Sequence, residues 1–298
     1  MRILFVGRHD WANFAHRIAR ALRSVGVDAR VLVQEPHPYG YSEDVWAEGE
    51  LDAWVNEGVD WLLSTGDGAY DFFAASARSI DYENLGALHV GSAYRTHHAE
   101  FNARDKALGA RVQFIGADSM RFASDLPAYP MWVAAEHWTA PDEKRDGILH
   151  CPSNRKSKGT ADILRGADLA GVKLTLLENA SPGDVLAAMA QHAVYIDEIN
   201  ADVGGMGCAA VEAAALGCAV ITDGRHWPVN QPWTPPFAQV RDAEDLAALL
   251  GYLKCSYRTV RTGWYVHNAR KHHAYALQHC SQAHVADYWL ERLNRHAL

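Results

Sequence analysis

Short apolar runs alternate with amphipathic stretches along the whole chain, which is the pattern of strands and helices that follow one another. In the first half this pattern predicts strands at Arg2–Val6, Ala29–Val33, Trp61–Ser64 and Leu88–Val90, and helices at Trp11–Arg23 and Asp44–Glu57. In the second half it predicts strands at 148–151, 173–177, 193–197 and 218–222, with helices between them. One of these helices begins at Ser181-Pro182-Gly183-Asp184, which has an N-cap serine followed by proline. The alternation predicts an α/β fold.

The chain has 298 residues, enough for two domains of about 140 residues each. Between the two halves lies the polar stretch Thr139–Asp146, which has no periodic pattern and is the predicted boundary. The first domain then covers residues 1–142 and the second covers residues 143–279. The tail from Trp264 to Leu298 has the pattern of helices.

Composition narrows the function classes. The net charge of −8 gives no general attraction to nucleic acid or to an anionic membrane. No apolar run reaches the roughly 18–20 residues of a membrane span, and Met1–Gly7 predicts a first strand rather than a signal peptide. The five cysteines are odd in number and form no C-x-x-C pair, which favours free thiols and a cytoplasmic location. The histidines after Trp264 lack the spacing of a metal site, so no metal is predicted.

The most informative stretch runs from Gly204 to Thr222, where a glycine loop precedes an alanine-rich helix, Gly217 and a short strand. Glycines before a helix let the backbone approach a ligand, and the unpaired amides of the first turn favour an anion. Glu212 is a charge in an apolar run, and its carboxylate can accept two hydrogen bonds from a sugar diol. This pattern suits a diphosphate at the helix end with ribose on Glu212. The alternative is a packed helix whose Glu212 faces water.

A second loop also points to phosphate. The strand Asp146–Cys151 is followed by a surface loop with three cations, Arg155, Lys156 and Lys158, and then by a helix of about ten residues with Thr160 as its N-cap. The carboxyl end of a strand is where open α/β sheets bind ligands. Arginine binds phosphate oxygens through two nitrogens and lysine supplies a point charge, although a solvated loop is the simpler alternative.

With these loops in place, the run from Ile148 to Thr222 resembles the C-terminal half of a GT-B glycosyltransferase, close to the retaining glycosyltransferase family 4. The matching pieces are His150–Arg155 with Lys158-Gly159-Thr160, Leu176–Asn179, Ile196–Glu198, and the Gly-Met-Gly…Glu-Ala…Gly…Val-Ile run. The resemblance implies two Rossmann-like domains facing a cleft, the first for the acceptor and the second for the nucleotide-sugar donor. It also implies that a C-terminal helix at about 280–298 crosses back to the first domain.

The same resemblance implies roles for residues of the second domain. Arg155 and Lys158 hold the donor diphosphate and Glu212 binds the ribose. The predicted set is completed by Met206 and Gly207 at the diphosphate, Glu178 and Asn154 at the ribose or base, and Asp197 and Gly205 at the sugar or acceptor. Gly204 stands where the family often has a second glutamate, which contacts the transferred sugar. The resemblance therefore implies the nucleotide site more firmly than the identity of that sugar or the stereochemistry of the transfer.

In the first domain, the polar loop Gly7–Asn13 follows the first strand and supplies His9 as a sugar or acceptor contact and Asp10 as a catalytic candidate. The alternative for Asp10 is a helix cap. The loop Thr65–Gly68 is a similar candidate, with a simple turn as its alternative.

A first-domain histidine near a strand end touches the transferred sugar in this family, which makes His89 the second catalytic candidate, with a core histidine as the alternative. Arg95 is a further sugar or acceptor contact.

The predicted activity is transfer of a sugar from a UDP- or GDP-sugar to an acceptor hydroxyl, with retention and without metal. No D-x-D motif is present, and the cations and helix amides would stabilise the leaving diphosphate. No cofactor is predicted beyond the nucleotide-sugar co-substrate. The acceptor stays open among a small molecule, a glycan, a lipid and modified DNA. The alternatives are a phage-type DNA glycosyltransferase acting on hydroxymethylated pyrimidines, a GT-B-fold nucleotide-sugar epimerase, and a non-catalytic nucleotide-binding protein.

Overall fold

The structure is a computed structural model of the chain. It describes residues 1–10, 13–37, 39–41, 44–65, 70–130, 133–142, 144–202, 205–227, 233–255 and 261–297. The chain forms two compact units, one of Met1–Ala134 with Gln282–Leu298 and the other of Ala135–Ser281. Over the described ranges, no helix has both the length and the apolar character needed to cross a membrane.

The first unit is built on a parallel sheet of six strands. Its strands are β1 (Arg2–Gly7), β2 (Asp28–Val33), β3 (Val59–Thr65), β4 (Tyr82–His89), β5 (Val112–Ile115) and β6 (Ala128–Pro130). Its helices in the N-terminal part of the chain are α1 (Phe14–Ser24), α2 (Glu50–Asn56), α3 (Tyr70–Ala77) and α4 (Gly91–Ala107), with a 3-10 turn at Ala117–Phe122. The strand order is β2-β1-β3-β4-β5-β6. Residues 3–6 of β1 are fully buried, as in a sheet covered on both faces.

The second unit is built on a parallel sheet of five strands. Its elements in chain order are β7 (Asp146–His150), α5 (Thr160–Leu169), β8 (Thr175–Leu176), α6 (Pro182–Gln191), β9 (His192–Ile196), α7 (Cys208–Ala215), β10 (Ala219–Thr222), β11 (Ala238–Gln239), α8 (Ala243–Cys255), a π-helical turn (Arg261–Tyr265) and α9 (Val266–Cys280). The strand order is β11-β10-β9-β7-β8. Because β7 pairs with β8 on one side and β9 on the other, the topological switch point lies between β7 and β9, where ligands bind in open sheets.

A last helix, α10 (Gln282–His296), belongs to the first unit. Its Trp289 is fully buried, stacks on Phe114 with ring centroids 3.6 Å apart, and lies 5.8 Å from the ring of Phe5. Arg111 donates from Nη1 to the carbonyl oxygen of His296 at 3.0 Å. The return of a C-terminal helix to the first unit, which the resemblance implied, is confirmed.

The polar stretch Thr139–Asp146 lies within the second unit, because the structure divides the chain between residues 134 and 135 instead of after residue 142. The amide of Thr139 donates to the carbonyl oxygen of Ala215 at 3.0 Å, and Tyr265 donates from Oη to the carbonyl oxygen of Asp142 at 3.2 Å. These bonds tie the stretch to the second unit, and its last residue, Asp146, begins β7.

The predicted helix at Asp44–Glu57 is wrong in its first part, because only α2 is helical. Asp44 accepts the amide of Val31 at 2.9 Å through Oδ2, and Trp46 donates from Nε1 to the carbonyl oxygen of Val31 at 3.0 Å. Gly49 then takes a left-handed conformation with φ of 73°, directly before α2. The segment is therefore tied to the edge strand β2, and a helix forms only after Gly49.

Candidate functional site

The basic loop between β7 and α5 is a compact turn of the second unit. The amide of Lys158 donates to the carbonyl oxygen of Asn154 at 3.0 Å, and the amide of Thr160 donates to that of Arg155 at 3.0 Å. Asn154 also accepts the amide of Ser157 at 3.0 Å through Oδ1. The side chain of Asn154, a predicted ribose or base contact, therefore shapes the loop.

The helix after this loop begins differently from the prediction. Thr160 is the first residue of α5, and the N-cap position belongs to Gly159, which has φ of 62° in the left-handed region. A Cβ at residue 159 would overlap the carbonyl oxygen of Ile199. The amide of Ile199 in turn donates to the carbonyl oxygen of Lys158 at 3.2 Å. Glycine is required here both by the backbone conformation and by this close approach.

The hydroxyl of Thr160 is used by a buried histidine at the end of β7. His150 is fully buried, with Nδ1 2.9 Å from the carbonyl oxygen of Ile196 and Nε2 2.9 Å from Oγ1 of Thr160. A carbonyl oxygen only accepts, so Nδ1 carries the proton and Nε2 accepts from the threonine. Burial lowers the pKa of His150 below its ordinary value. His150 is therefore a neutral link between β7, β9 and α5.

Lys158 is largely buried, with 14% of its side chain exposed, and is not the surface lysine that the sequence predicted. Its Nζ donates to Oδ1 of Asp197 at 2.8 Å and to Oε2 of Glu198 at 2.9 Å. Burial acts against the charged ammonium, but the two carboxylates outweigh it and raise the pKa of Lys158 above its ordinary value. Lys158 is therefore held as a cation between the two residues that follow β9.

The glycine loop before α7 bonds to the same two carboxylates. The amide of Gly207 donates to Oδ2 of Asp197 at 3.0 Å, and the amide of Gly205 donates to Oε1 of Glu198 at 3.1 Å. A Cβ at residue 207 would lie 2.6 Å from Nζ of Lys158 and 2.9 Å from Oδ2 of Asp197. The glycine therefore lets the loop, the lysine and the carboxylate approach one another. We call Lys158, Asp197, Glu198, Gly205 and Gly207 the lysine cluster.

Glu198 is a member of the lysine cluster that was absent from the predicted site residues. It is 4% exposed, and its position directly after a buried strand at the carboxyl end of the sheet was the signal that could have identified it. Asp197, predicted as a sugar or acceptor contact, is fully buried and bonds to Lys158 and Gly207.

The exposed Arg155 pairs with another predicted site residue. It donates from Nε to Oε1 of Glu178 at 2.6 Å and from Nη2 to Oε2 of Glu178 at 2.5 Å. The hydrogen bond with Arg155 lowers the pKa of Glu178 below its ordinary value, and the same bond raises the pKa of Arg155. The arginine is 58% exposed, so solvent screens this bidentate pair.

Glu212 lies in the second turn of α7 and is half-buried, whereas its neighbours Val211 and Ala213 are buried. Met206, predicted at the diphosphate, is half-buried in the loop before α7. The loops after β7, β8 and β9 carry three cations, Arg155, Lys156 and Lys158, against four carboxylates, Glu178, Asp197, Glu198 and Asp202. The carboxylates therefore exceed the cations by one, and Glu212 on α7 adds a further negative charge. This edge of the sheet is therefore rich in acceptors.

In the first unit, Asp10 caps a helix. Its Oδ1 accepts the amide of Ala15 at 2.9 Å and its Oδ2 accepts the amide of His16 at 2.9 Å. These bonds give the predicted catalytic aspartate the structural role that was its alternative. His9, a predicted sugar or acceptor contact, has Nε2 3.2 Å from Oε2 of Glu35.

His89, the second catalytic candidate, is fully buried at the end of β4. Its Nε2 lies 2.6 Å from Oδ2 of Asp105, and its ring stacks on Tyr94 at 4.5 Å and on Phe101 at 5.6 Å. Its Nδ1 has no hydrogen-bond partner among the residues that the structure describes.

Asp105 also accepts from Nε2 of Gln113 at 3.1 Å and from Nη2 of Arg104 at 2.7 Å. Burial alone would raise the pKa of Asp105, but the hydrogen bond and charge of His89 and the charge of Arg104 hold it below its ordinary value. We call His89, Asp105, Gln113 and Arg104 the aspartate cluster.

Arg95, a predicted sugar or acceptor contact, is a half-buried residue of α4, and its carbonyl oxygen lies 3.1 Å from Nδ1 of His98. Gly66, Asp67 and Gly68 of the second candidate loop, and Gly204, lie outside the described residues. In the ranges that are described, no group of three or more His, Cys, Asp and Glu side chains is placed to hold a metal ion.

Comparison with known proteins extends these observations. No protein-family model matches the sequence, and no curated protein matches it. Solved structures do match by fold. Sucrose-phosphate synthase from Thermosynechococcus elongatus is 11% identical, with 99% of this chain and 98% of that chain covered and a TM-score of 0.63. HepE from Anabaena, solved with UDP and glucose, is 11% identical, with coverage of 99% and 100% and a TM-score of 0.63.

A glycosyltransferase from Rickettsia africae is similar to the same extent, with 11% identity, coverage of 99% and 98% and a TM-score of 0.62. These proteins share the two Rossmann-like units along nearly the whole chain. The chain therefore has the GT-B glycosyltransferase fold, as the resemblance implied.

Proposed function

We propose that the protein is a glycosyltransferase that moves a sugar from a nucleoside diphosphate to an acceptor hydroxyl. The observation that carries the proposal is the lysine cluster. Lys158 and the amides of Gly205 and Gly207 converge at the switch point of the second unit, directly before the N-terminus of α7. A buried ammonium with backbone amides at a helix start suits a diphosphate. The GT-B fold, shared with HepE solved with UDP-glucose, supports the same donor class.

The proposed chemistry breaks the bond between the anomeric carbon and the diphosphate oxygen. Negative charge then grows on the leaving phosphate, where Lys158, Arg155 and the loop amides provide hydrogen-bond donors. With retention, the acceptor hydroxyl attacks from the face that the diphosphate leaves and gives its proton to the departing phosphate. This course needs no protein nucleophile and no metal ion. Retention of stereochemistry and independence from metal are therefore both parts of the proposal.

Glu212 is proposed to bind the ribose. Its carboxylate can accept from both the 2′- and the 3′-hydroxyl, and its half-buried place on α7 limits competition from water. Glu178 and Asn154 are proposed for the ribose or base. In the first unit, His89 remains the proposed catalytic residue at the transferred sugar, and His9 and Arg95 remain proposed contacts of the sugar or acceptor.

The test is a calorimetric titration of wild type and Glu212→Gln with UDP-, GDP- and ADP-sugars. Wild type is expected to bind at least one of them, and Glu212→Gln is expected to bind it about tenfold more weakly, or about 1.4 kcal/mol, because one acceptor oxygen becomes a donor. The 2′-deoxy donor should be affected less than the ribonucleotide. Glu244→Gln, an exposed residue paired with Arg165, is the charge-matched control. Absence of binding by every nucleotide would contradict the proposal.

The acceptor screen uses small-molecule sugars, glycans, lipids and hydroxymethylated DNA. An epimerase of the same fold would convert the donor sugar with no acceptor added, so product formation in that reaction favours the epimerase. A non-catalytic protein would bind the nucleotide and release no diphosphate with any acceptor.

A further inference from the structure

The backbone amides of the lysine cluster already have acceptors within the chain. The amides of Gly205 and Gly207 each donate to a carboxylate, and Nζ of Lys158 donates to both Asp197 and Glu198. An amide has one N–H and an ammonium has three, so both amides and two of the three ammonium donors are used. The donors that the lysine cluster offers a diphosphate are therefore almost fully engaged.

We infer that Asp197 and Glu198 occupy the anion site themselves, and that a donor diphosphate binds by displacing them from Lys158 and the glycine amides. This inference rests on the proposed function and names Glu198 as a determinant of donor affinity. A carboxylate and a phosphate have the same preference for N–H donors, so the two compete for one set of partners.

The charge of the cluster makes this competition strong. Lys158 contributes one positive charge and the two carboxylates contribute two negative charges, and all three side chains are buried or nearly so. Carboxylates a few ångströms from a diphosphate repel it, and burial reduces the screening by water. The free energy needed to displace the two carboxylates therefore lowers the affinity of the protein for the donor.

Glu198 is the better of the two positions for a test. Its side chain has one more methylene than that of Asp197, and it bonds to Gly205, two residues further from α7 than the Gly207 that Asp197 holds. Glu198→Gln keeps the shape and an acceptor oxygen for Lys158 or Gly205 while it removes the charge. Asp197→Asn makes the same change at the neighbouring residue.

The experiment is calorimetric titration of UDP and GDP into wild type, Glu198→Gln, Asp197→Asn and the control Glu244→Gln, with melting temperatures to establish that each variant is folded. We expect Glu198→Gln to bind the nucleotide about tenfold more tightly than wild type because one repulsive charge is gone. Asp197→Asn should shift affinity in the same direction, and Glu244→Gln should bind like wild type. Tighter binding by either neutralised variant supports the inference.

Two results would overturn it in different ways. If wild type binds the nucleotide and the neutralised variants bind it equally or more weakly, the carboxylates do not compete, and the proposed function stands without this inference. If no variant binds UDP or GDP, even with the carboxylates neutralised, the nucleotide site itself is refuted and the inference is overturned with it.

Discussion

Each unit buries a histidine at the last residue of a central strand, and the two are used differently. His89 ends β4 in the first unit and lies 2.6 Å from a buried carboxylate, Asp105. His150 ends β7 in the second unit and has only neutral partners, a backbone carbonyl and the hydroxyl of Thr160. The place in the fold is the same, but the charge beside the histidine is not.

The difference extends to the clusters around these strand ends. In the aspartate cluster, one carboxylate receives hydrogen bonds from His89, Gln113 and Arg104. In the lysine cluster, one ammonium is shared between two carboxylates. A carboxylate surrounded by hydrogen-bond donors has its hydrogen bonds satisfied within the fold. Where carboxylates outnumber cations, several carboxylate oxygens share a few donors. The first arrangement is suited to stability, and the second is suited to exchange with an anionic ligand.

Among the variants that test this comparison, Lys158→Ala is expected to have the largest effect on stability. It leaves Asp197 and Glu198 buried without their cation, which should lower the free energy of unfolding by about 3–5 kcal/mol. Urea denaturation measures the change. Arg155→Ala, which removes an exposed cation from the same loop, is the control and should leave the unfolding free energy unchanged. Equal losses in both variants would show that the burial of Lys158 has no energetic importance.

Asp105→Asn is expected to have a smaller effect in the aspartate cluster. The amide keeps one acceptor oxygen but turns an N–H group towards a donor of His89, Gln113 or Arg104, at a cost of about 2 kcal/mol. Asp125→Asn removes an exposed partner of Lys106 in the same unit and serves as the control. A loss for Asp125→Asn as large as that for Asp105→Asn would remove the distinction between buried and exposed carboxylates.

The smallest expected effect is on the pH dependence of the unfolding free energy. It distinguishes histidines that are buried as neutral groups from histidines that are paired with a carboxylate. His272 of α9 accepts the amide of Val220 at 2.9 Å through Nδ1 and has Nε2 3.0 Å from the carbonyl oxygen of Pro236, and burial lowers its pKa to about 3. The unfolded chain takes up a proton near pH 6.5, so unfolding binds protons and stability falls as the pH falls below that value.

Between pH 7 and pH 5.5, His272 should lower the free energy of unfolding by about 1 kcal/mol. His150, whose pKa is also lowered by burial, should add to this loss of stability. Urea denaturation of wild type and His272→Gln at both pH values measures this contribution. The variant should show the weaker pH dependence. An unchanged pH dependence would mean that His272 is not buried as a neutral group.

The sequence predicted elements well where the signal was local. Ser181 accepts the amide of Asp184 at 3.2 Å and caps α6, as its Ser-Pro-Gly-Asp start indicated. The helix from Asp44 was predicted wrongly because periodicity does not reveal that Asp44 and Trp46 bond to Val31 of β2. Tertiary hydrogen bonds of this kind override an amphipathic pattern.

The candidate site shows the same limit. Lys158 was predicted from a loop at the carboxyl end of a strand, Gly207 from the glycine loop before a helix, and Asp197 from the family resemblance alone. Their mutual bonds depend on β7 lying directly beside β9, which the order of elements along the chain does not specify. The burial of Lys158 and its hydrogen bond to Glu198 therefore became visible only with the strand order. The roles of these residues in donor binding remain predictions.

The place of α10 has a consequence for synthesis of the protein. Trp289 fills the first unit against Phe114 and Phe5, yet it leaves the ribosome only after the whole second unit has been made. During translation the nascent first unit therefore exposes the apolar surface that Trp289 later covers, and the second unit can fold while the first is still incomplete. Cells that make this protein slowly or truncate it before residue 282 would accumulate a first unit open to aggregation, to chaperones and to proteases.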